Sequence, residues 1–287
     1  ALSSDLGRSS GLDRFSKEYP DQFINTGIAE QNMVGIAAGF ARTGFDVFAS
    51  TFAPFASMRA SEQVRMNMGY MEEPVKLVAL GSGLAMGFLG NSHYGLEDLA
   101  IMRAIPNIVI ISPADCVEIH KTIKACIRFP KPVYIRLTGG LNAPIVYEDD
   151  YKFEIGKAIW VRSSGNICVI TAGTTVGHSL AAAKLLEEKS MEISVLNMHT
   201  VKPLDKTALD EVAQKYEHIF VVEEHSTLGG LGDAVIRHFN DHQIYGGKIH
   251  CHGINDMFVP TGDYSYLLQA NKLDGTGIAE FICETLG

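Results

Sequence analysis

One carboxylate, Glu30, follows a glycine turn in the stretch Asn25-Thr26-Gly27-Ile28-Ala29-Glu30-Gln31-Asn32. Apolar residues at Met33, Val34, Ala37, Phe40 and Ala41 recur at helical spacing, which places Glu30 in the first turn of a helix. Further along, Ser50-Thr51-Phe52-Ala53-Pro54-Phe55 sets two aromatic rings three positions apart, where a strand gives way to another helix. A carboxylate beside an aromatic clamp suits a flat, nitrogen-containing ring. The aromatics hold its faces and the carboxylate takes a hydrogen bond from its edge. Each residue also has a plainer role. A first-turn glutamate is favoured by the helix dipole, and apolar rings at i and i+3 usually fill a core. His93 lies in a glycine-bearing loop, Gly90-Asn91-Ser92-His93, and an imidazole there could shuttle a proton near neutral pH.

The elements that must hold these groups alternate between strand and helix. Strands are expected at 46–50, 75–80, 107–111 and 132–137, with helices at 57–70, 96–104 and from Ser112-Pro113-Ala114-Asp115 through Arg128. The almost continuous apolar run Asn107-Ile108-Val109-Ile110-Ile111 reads as a strand covered on both faces. Strands separated by helical segments of this length imply a parallel sheet with helices on both sides. A polar, breaker-rich linker over 139–151, with Gly139-Gly140, Asn142, Pro144 and Glu148-Asp149-Asp150, then interrupts the pattern. Beyond it strands are expected at 166–172, 192–196, 218–223 and 248–252, and helices at 177–188, 204–216, 229–240 and 276–286. The reading is two doubly wound α/β domains, residues 1–145 and a smaller one at 146–287.

With 287 residues, 46% of them hydrophobic and 20% charged, the chain can bury sizeable cores. Its net charge of -9 argues against a nucleic-acid partner. No apolar run reaches the length of a membrane helix, and no secretory signal is visible. The five cysteines (Cys116, Cys126, Cys168, Cys251, Cys283) have no paired spacing and read as thiols in a reducing cytoplasm. His250-Cys251-His252 alternates ligand types, but neighbours on a strand face opposite sides, so no metal site is assigned to it.

The motifs together resemble the pyrimidine-binding half of transketolases and 1-deoxyxylulose-5-phosphate synthases, which are thiamine diphosphate enzymes. The resemblance rests on Gly27-Ile28-Ala29-Glu30-Gln31 and Ser50-Thr51-Phe52-Ala53-Pro54-Phe55. It continues through Ser92-His93-Tyr94-Gly95 and Leu99-Ala100-Ile101-Met102-Arg103-Ala104-Ile105-Pro106-Asn107. It ends in Val222-Glu223-Glu224-His225-Ser226-Thr227-Leu228-Gly229-Gly230-Leu231-Gly232 and so spans nearly the whole chain. It implies that Glu30 is the carboxyl group that shares a proton with the coenzyme's pyrimidine. It implies that Phe55 stacks on that ring, and that Phe52, Met58 and Ile28 line the same pocket. His93 would face the substrate's oxygens. The C-terminal domain of the family has no established catalytic role. The relatives carry several apolar residues before the position of Ala1, so the numbering is expected to begin inside the natural chain.

Departures from the family pattern bear on the substrate. Gly81 stands where transketolases carry a second histidine, Leu89 where an aspartate reads a substrate hydroxyl, and Gly139 where an arginine grips a sugar phosphate. Met58 replaces a tyrosine. Arg136 resembles an arginine of the synthase branch, and Arg8 with Ser9 could bind an anion instead. Substrates other than the standard pentose phosphates are therefore expected.

The diphosphate and its Mg²⁺ need oxygen ligands from a Gly-Asp-Gly motif. Gly232-Asp233-Ala234 and Gly262-Asp263-Tyr264 fail at the third position. The expectation is a C-terminal subunit of a split transketolase, paired with a diphosphate-binding N-terminal subunit in an α2β2 heterotetramer. That enzyme would move a two-carbon ketol unit from a ketose to an aldose. The alternatives are a synthase of the 1-deoxyxylulose type, a keto-acid dehydrogenase β chain, or a non-catalytic partner that stabilises or regulates a thiamine enzyme.

Overall fold

Short apolar runs become the middle of a parallel sheet because both of their faces are covered. The computed structural model describes residues 1–140, 143–244 and 247–287; the linker's Leu141 and Asn142 lie outside the described residues. Its first strands are β1 (Leu2–Ser3), β2 (Ile24–Asn25), β3 (Phe48–Phe52), β4 (Lys76–Ser82), β5 (Val109–Ile111) and β6 (Val133–Thr138). Then follow β7 (Ile159–Arg162), β8 (Ile167–Thr171), β9 (Ile193–Asn197), β10 (Thr200–Lys202), β11 (His218–Ser226) and β12 (Lys248–Ile254).

The described residues form a seven-stranded sheet in the order β10-β5-β6-β4-β3-β1-β2 and a five-stranded sheet in the order β12-β11-β8-β9-β7. Within the first, β1 to β6 pair in parallel and β10 closes the edge antiparallel to β5. The second is parallel except for β7, which runs antiparallel to β9. Both are covered by helices, giving two α/β domains.

Three strands, β2, β7 and β10, and two α-helices, Asp13–Glu18 and Tyr264–Ala270, were not expected. β7 and β10 are only a few residues long and carry no alternation clear enough to mark them. β10 lies in the second half of the sequence yet extends the first sheet, so the two halves share backbone hydrogen bonds. Ser112 N–H, for example, donates to the His199 carbonyl at 2.7 Å. The helix Tyr264–Ala270 is hidden between the glycine-bearing stretches Gly262-Asp263 and Asp274-Gly275. Elsewhere bounds move by a few residues, as is usual for element ends.

Lys76 interrupts the apolar run of β4 and is nevertheless 1% exposed. Its Nζ donates to the carbonyls of Pro74, Phe129 and Lys131 at 2.5, 2.7 and 3.3 Å, and burial lowers its pKa. The charge is thus tolerated because its three donors all find acceptors. The helix Cys116–Cys126 starts at Asp115, whose side chain accepts from Glu118 N–H, while the Glu118 carboxylate accepts from Ala114 N–H. This reciprocal cap also binds the halves together, because Asn197 Nδ2 donates to the same Glu118 carboxylate.

Candidate active site

Strands β4, β3, β1 and β2 lie side by side and run the same way, so their carboxyl ends open on one edge of the sheet. That edge is where open α/β sheets bind ligands. The residues singled out by the sequence leave from it. Arg8 and Ser9 follow β1, Ile28 to Glu30 follow β2, Phe55 to Arg59 follow β3, and the loop 83–95 that bears His93 follows β4.

Gly27 adopts φ +70°, a left-handed turn that a side chain would strain. It brings the chain into the helix Glu30–Arg42, whose first residue is Glu30. The Glu30 side chain is 2% exposed, and its Oε1 accepts from Arg59 Nη1 at 2.9 Å. Phe55–Arg59 is a π-helical turn that sets Arg59 four positions after Phe55, on the same face. The Arg59 guanidinium lies over the Phe55 ring, its central carbon 3.9 Å from the centroid. Phe52 meets Phe55 edge-on at 5.9 Å and 71°. His93 meets Phe55 at 5.2 Å and 66°, and Phe52 at 5.8 Å and 73°. Glu30, Phe52, Phe55 and His93 are therefore joined in one cluster, with Arg59 as the link between carboxylate and rings. Sequence reasoning missed Arg59. The i, i+4 relation to Phe55 was the signal that could have found it.

His93 Nδ1 is 2.9 Å from Ser92 Oγ, and its Nε2 has no partner among the described residues. Met58 is 43% exposed within the π-helical turn Phe55–Arg59, and Ile28 is 77% exposed two positions before Glu30. Arg8 and Ser9 are exposed in the turn after β1, and neither side chain makes a hydrogen bond among the described residues.

Arg136 does not belong with the substrate residues. Its side chain is 3% exposed, and its Nε donates to both Asp98 carboxylate oxygens at 3.0 Å. Its Nη2 donates to the carbonyls of Gly95 and Glu224 at 3.0 and 2.9 Å. Tyr134 adds a hydrogen bond to Asp98 at 2.9 Å. The guanidinium is consumed by this buried network, which fastens the two domains together and holds the base of the His93 loop.

Glu224 fastens the same loop from the other end. Its Oε1 accepts from Leu84 N–H at 2.7 Å, and its Oε2 accepts from Tyr264 and Thr174 hydroxyls at 2.8 and 3.0 Å. Burial raises its pKa, and these donors oppose the shift. A Cβ on Gly83 would meet Glu224 Oε1 at 2.2 Å, so only glycine admits the carboxylate there. Neighbouring Glu223 is fully enclosed and accepts from Leu231 and Gly232 N–H at 2.6 and 2.9 Å, at the start of the helix Leu231–Asp241. Burial pushes its carboxyl up to about 7. His250 and His252 stack on Phe220 and Phe281, while Cys251 Sγ packs towards Gly232 on the opposite side.

The three departures from the family pattern have structural counterparts. Gly81 has φ +59°, and a Cβ there would meet Met86 Cγ at 2.6 Å, so Met86 fills the space a larger side chain would need. Gly139 has φ +84°, and a Cβ there would meet Thr174 Cγ2 at 2.5 Å. Phe88 and Leu89 are exposed, at 73% and 39%. Among the described residues, no group of three or more His, Cys, Asp and Glu is placed to hold a metal ion, and no helix is long and apolar enough to cross a membrane.

The chain matches the family model for the transketolase pyrimidine-binding domain over residues 1–143 and that for the transketolase C-terminal domain over residues 156–278. It is 36% identical to one of the subunits of the apulose-4-phosphate transketolase of Phocaeicola vulgatus, over 99% of this chain and 90% of that one. It is 31% identical to the 1-deoxy-D-xylulose-5-phosphate synthase of Natranaerobius thermophilus, over 95% of this chain and 43% of that one. A solved structure of a split gene transketolase, described as an inactive β4 tetramer, superposes with a TM-score of 0.87 at 34% identity, covering 99% of this chain and 90% of that one. The sheet-edge cluster, both domain matches and these relatives agree: the chain belongs to the transketolase family.

Proposed function

We propose that this chain is the C-terminal subunit of a split thiamine diphosphate-dependent transketolase and supplies the coenzyme's pyrimidine site. The observation that carries the reading is the arrangement of Arg59. Its guanidinium is flat and cationic, lies on Phe55 and donates an N–H to Glu30. A protonated aminopyrimidine has the same three properties, so the residues present fit that ring.

When bound, thiamine diphosphate supplies an acidic thiazolium carbon that can carry a two-carbon unit from a ketose donor to an aldose acceptor. The side chains act on either side of that chemistry. Glu30 accepts a hydrogen bond from the ring edge and shares its proton. It is buried, so the proton exchanges with the ring rather than with water. Phe55 stacks on the ring face, and Phe52 and His93 wall the pocket. His93 Nε2, without a partner among the described residues, would move a proton at a substrate oxygen. Met58 and Ile28 form the rim, and Arg8 and Ser9 offer an anion contact.

The diphosphate and Mg²⁺ ligands belong to a partner subunit in this reading, within an α2β2 heterotetramer. The relatives that this chain spans to 90% of their length support it: one is a transketolase subunit, and the other is a split gene transketolase described as an inactive β4 tetramer. The relative from P. vulgatus is named for apulose 4-phosphate. A substrate other than the standard pentose phosphates fits the substitutions at Gly81, Leu89 and Gly139.

The test is assembly. The chain alone binds thiamine diphosphate weakly and turns nothing over, whereas addition of the diphosphate-binding subunit gives Mg²⁺-dependent ketol transfer. Micromolar coenzyme binding with turnover by the partner-free chain would contradict the division of labour.

A further inference from the structure

The Arg59 guanidinium and an aminopyrimidine ring cannot share the Phe55 face. At 3.9 Å from the ring centroid the guanidinium carbon is in stacking contact, and Nη1 already occupies Glu30 Oε1 at 2.9 Å. Phe52 and His93 meet the same ring edge-on, with centroids 5.9 and 5.2 Å away. We propose that Arg59 is a built-in competitor for the pyrimidine site, filling it in the partner-free chain and leaving when the coenzyme ring enters. This rests on the reading of Glu30 and Phe55 as the pyrimidine site.

The contacts have the strength such a device requires. The Arg59 side chain is 47% exposed, so its ion pair with the buried carboxylate is screened on one side. The stacking contact is that of a cation on a phenyl ring, modest where water reaches it. Together they amount to roughly a 10-fold handicap on a competing ring. Without Arg59 the buried Glu30 carboxylate would have no side-chain donor among the described residues, so the arginine also satisfies it. Its exposed outer half gives the side chain room to swing away without disturbing the helix.

The experiment uses the full, partner-free chain and a neutral probe, 4-amino-5-hydroxymethyl-2-methylpyrimidine, titrated by NMR chemical shift. A neutral probe removes simple charge repulsion from the comparison. Arg59→Gln is expected to bind it about 10-fold tighter than the wild type. Arg59→Lys keeps a charge for Glu30 but has no plane to stack, and is expected to fall between them, about 3-fold tighter than the wild type. Thermal melts establish that each variant is folded, and Arg59→Lys decides alone if Arg59→Gln is not. Equal or weaker binding by the folded variants would overturn the proposal while leaving the pyrimidine site intact. Glu30→Ala and Phe55→Ala separate the two ideas. If probe binding survives both, or if no chain binds the probe, the site reading fails and the competitor fails with it.

Discussion

Glu224 Oε1 accepts a hydrogen bond from the backbone N–H of Leu84 at 2.7 Å, although the two residues are 140 positions apart in the chain. Through it the C-terminal domain, which contributes none of the aromatic cluster, fixes the start of the loop that carries His93. Arg136 fixes the other end through the Gly95 carbonyl. The second domain thus does more for the proposed site than cover a sheet.

Glu224→Ala strands the Leu84 N–H, a loss of about 1–3 kcal/mol if no water enters, and takes one acceptor from the Tyr264 and Thr174 hydroxyls, which still have each other. The expected outcome is a lower melting temperature and, in the assembled enzyme, a raised KM as the His93 loop loosens. Glu224→Gln keeps an acceptor for Leu84 and is expected to lie closer to the wild type. Equal effects of the two substitutions on KM would remove Glu224 from loop positioning.

Phe55→Ala removes the stacking face. The coenzyme concentration giving half-maximal activity in the assembled enzyme is expected to rise about 10-fold, with a smaller effect on kcat at saturation. A coenzyme titration checks this, and an unchanged midpoint would place the ring elsewhere.

Gly81, Leu89 and Gly139 predict the substrate range. A leucine leaves a substrate hydroxyl without its partner at about 1–3 kcal/mol, and a missing guanidinium forgoes a charged hydrogen bond of about 1.5–3 kcal/mol. Each gives roughly 10- to 100-fold discrimination. Xylulose 5-phosphate with ribose 5-phosphate is therefore expected to be a poor pair. A donor–acceptor panel read as kcat/KM tests it. Highest values for the standard pentose phosphates would show that Arg8 or partner residues supply the contacts. Restoring arginine at position 139 alone is not expected to help, because the left-handed backbone and Thr174 leave no room for its Cβ.

Glu223 gives a pH dependence with a definite sign. Burial raises its carboxyl to about 7, so the folded chain holds that proton more tightly than the unfolded chain does. The stabilisation is complete below the ordinary carboxylate pKa of 4.5 and is lost as pH rises through about 7. Buried His225, 3.8 Å away, is lowered to about 4 and acts in the opposite sense, losing stability as pH falls below its ordinary range. Glu223→Gln isolates the first effect. Between pH 5 and 8 the wild type is expected to lose ~2–3 kcal/mol relative to this variant. Denaturant curves that stay parallel across that range would contradict the assignment.

Much of this molecule was legible in its sequence because its key signals are local. Gly27 announces a turn, Met33 to Ala41 mark one face of a helix, and β5 is an unbroken apolar run. Glu30, Phe52, Phe55 and His93 stand out because their motifs occur in family order. What stayed hidden depends on distant partners. Arg136 looked available to a substrate because nothing in its neighbourhood announces Asp98 or the Glu224 carbonyl. Glu224 itself reads as the end of an apolar strand, and its contact with Leu84 exists only once two domains pack. β10 was invisible because three residues acquire their pairing from a strand of the other domain. Arg59 was legible in principle, one helical turn beyond Phe55, but an arginine on a helix normally reads as a solvated charge.

Whether Glu30 acts on the coenzyme ring is decided by Glu30→Ala in the enzyme assembled with its diphosphate-binding subunit. The complex is expected to stay intact while its kcat at saturating thiamine diphosphate falls about 10²–10⁴-fold, the range for a general acid–base group. Turnover close to wild type in that complex would contradict it.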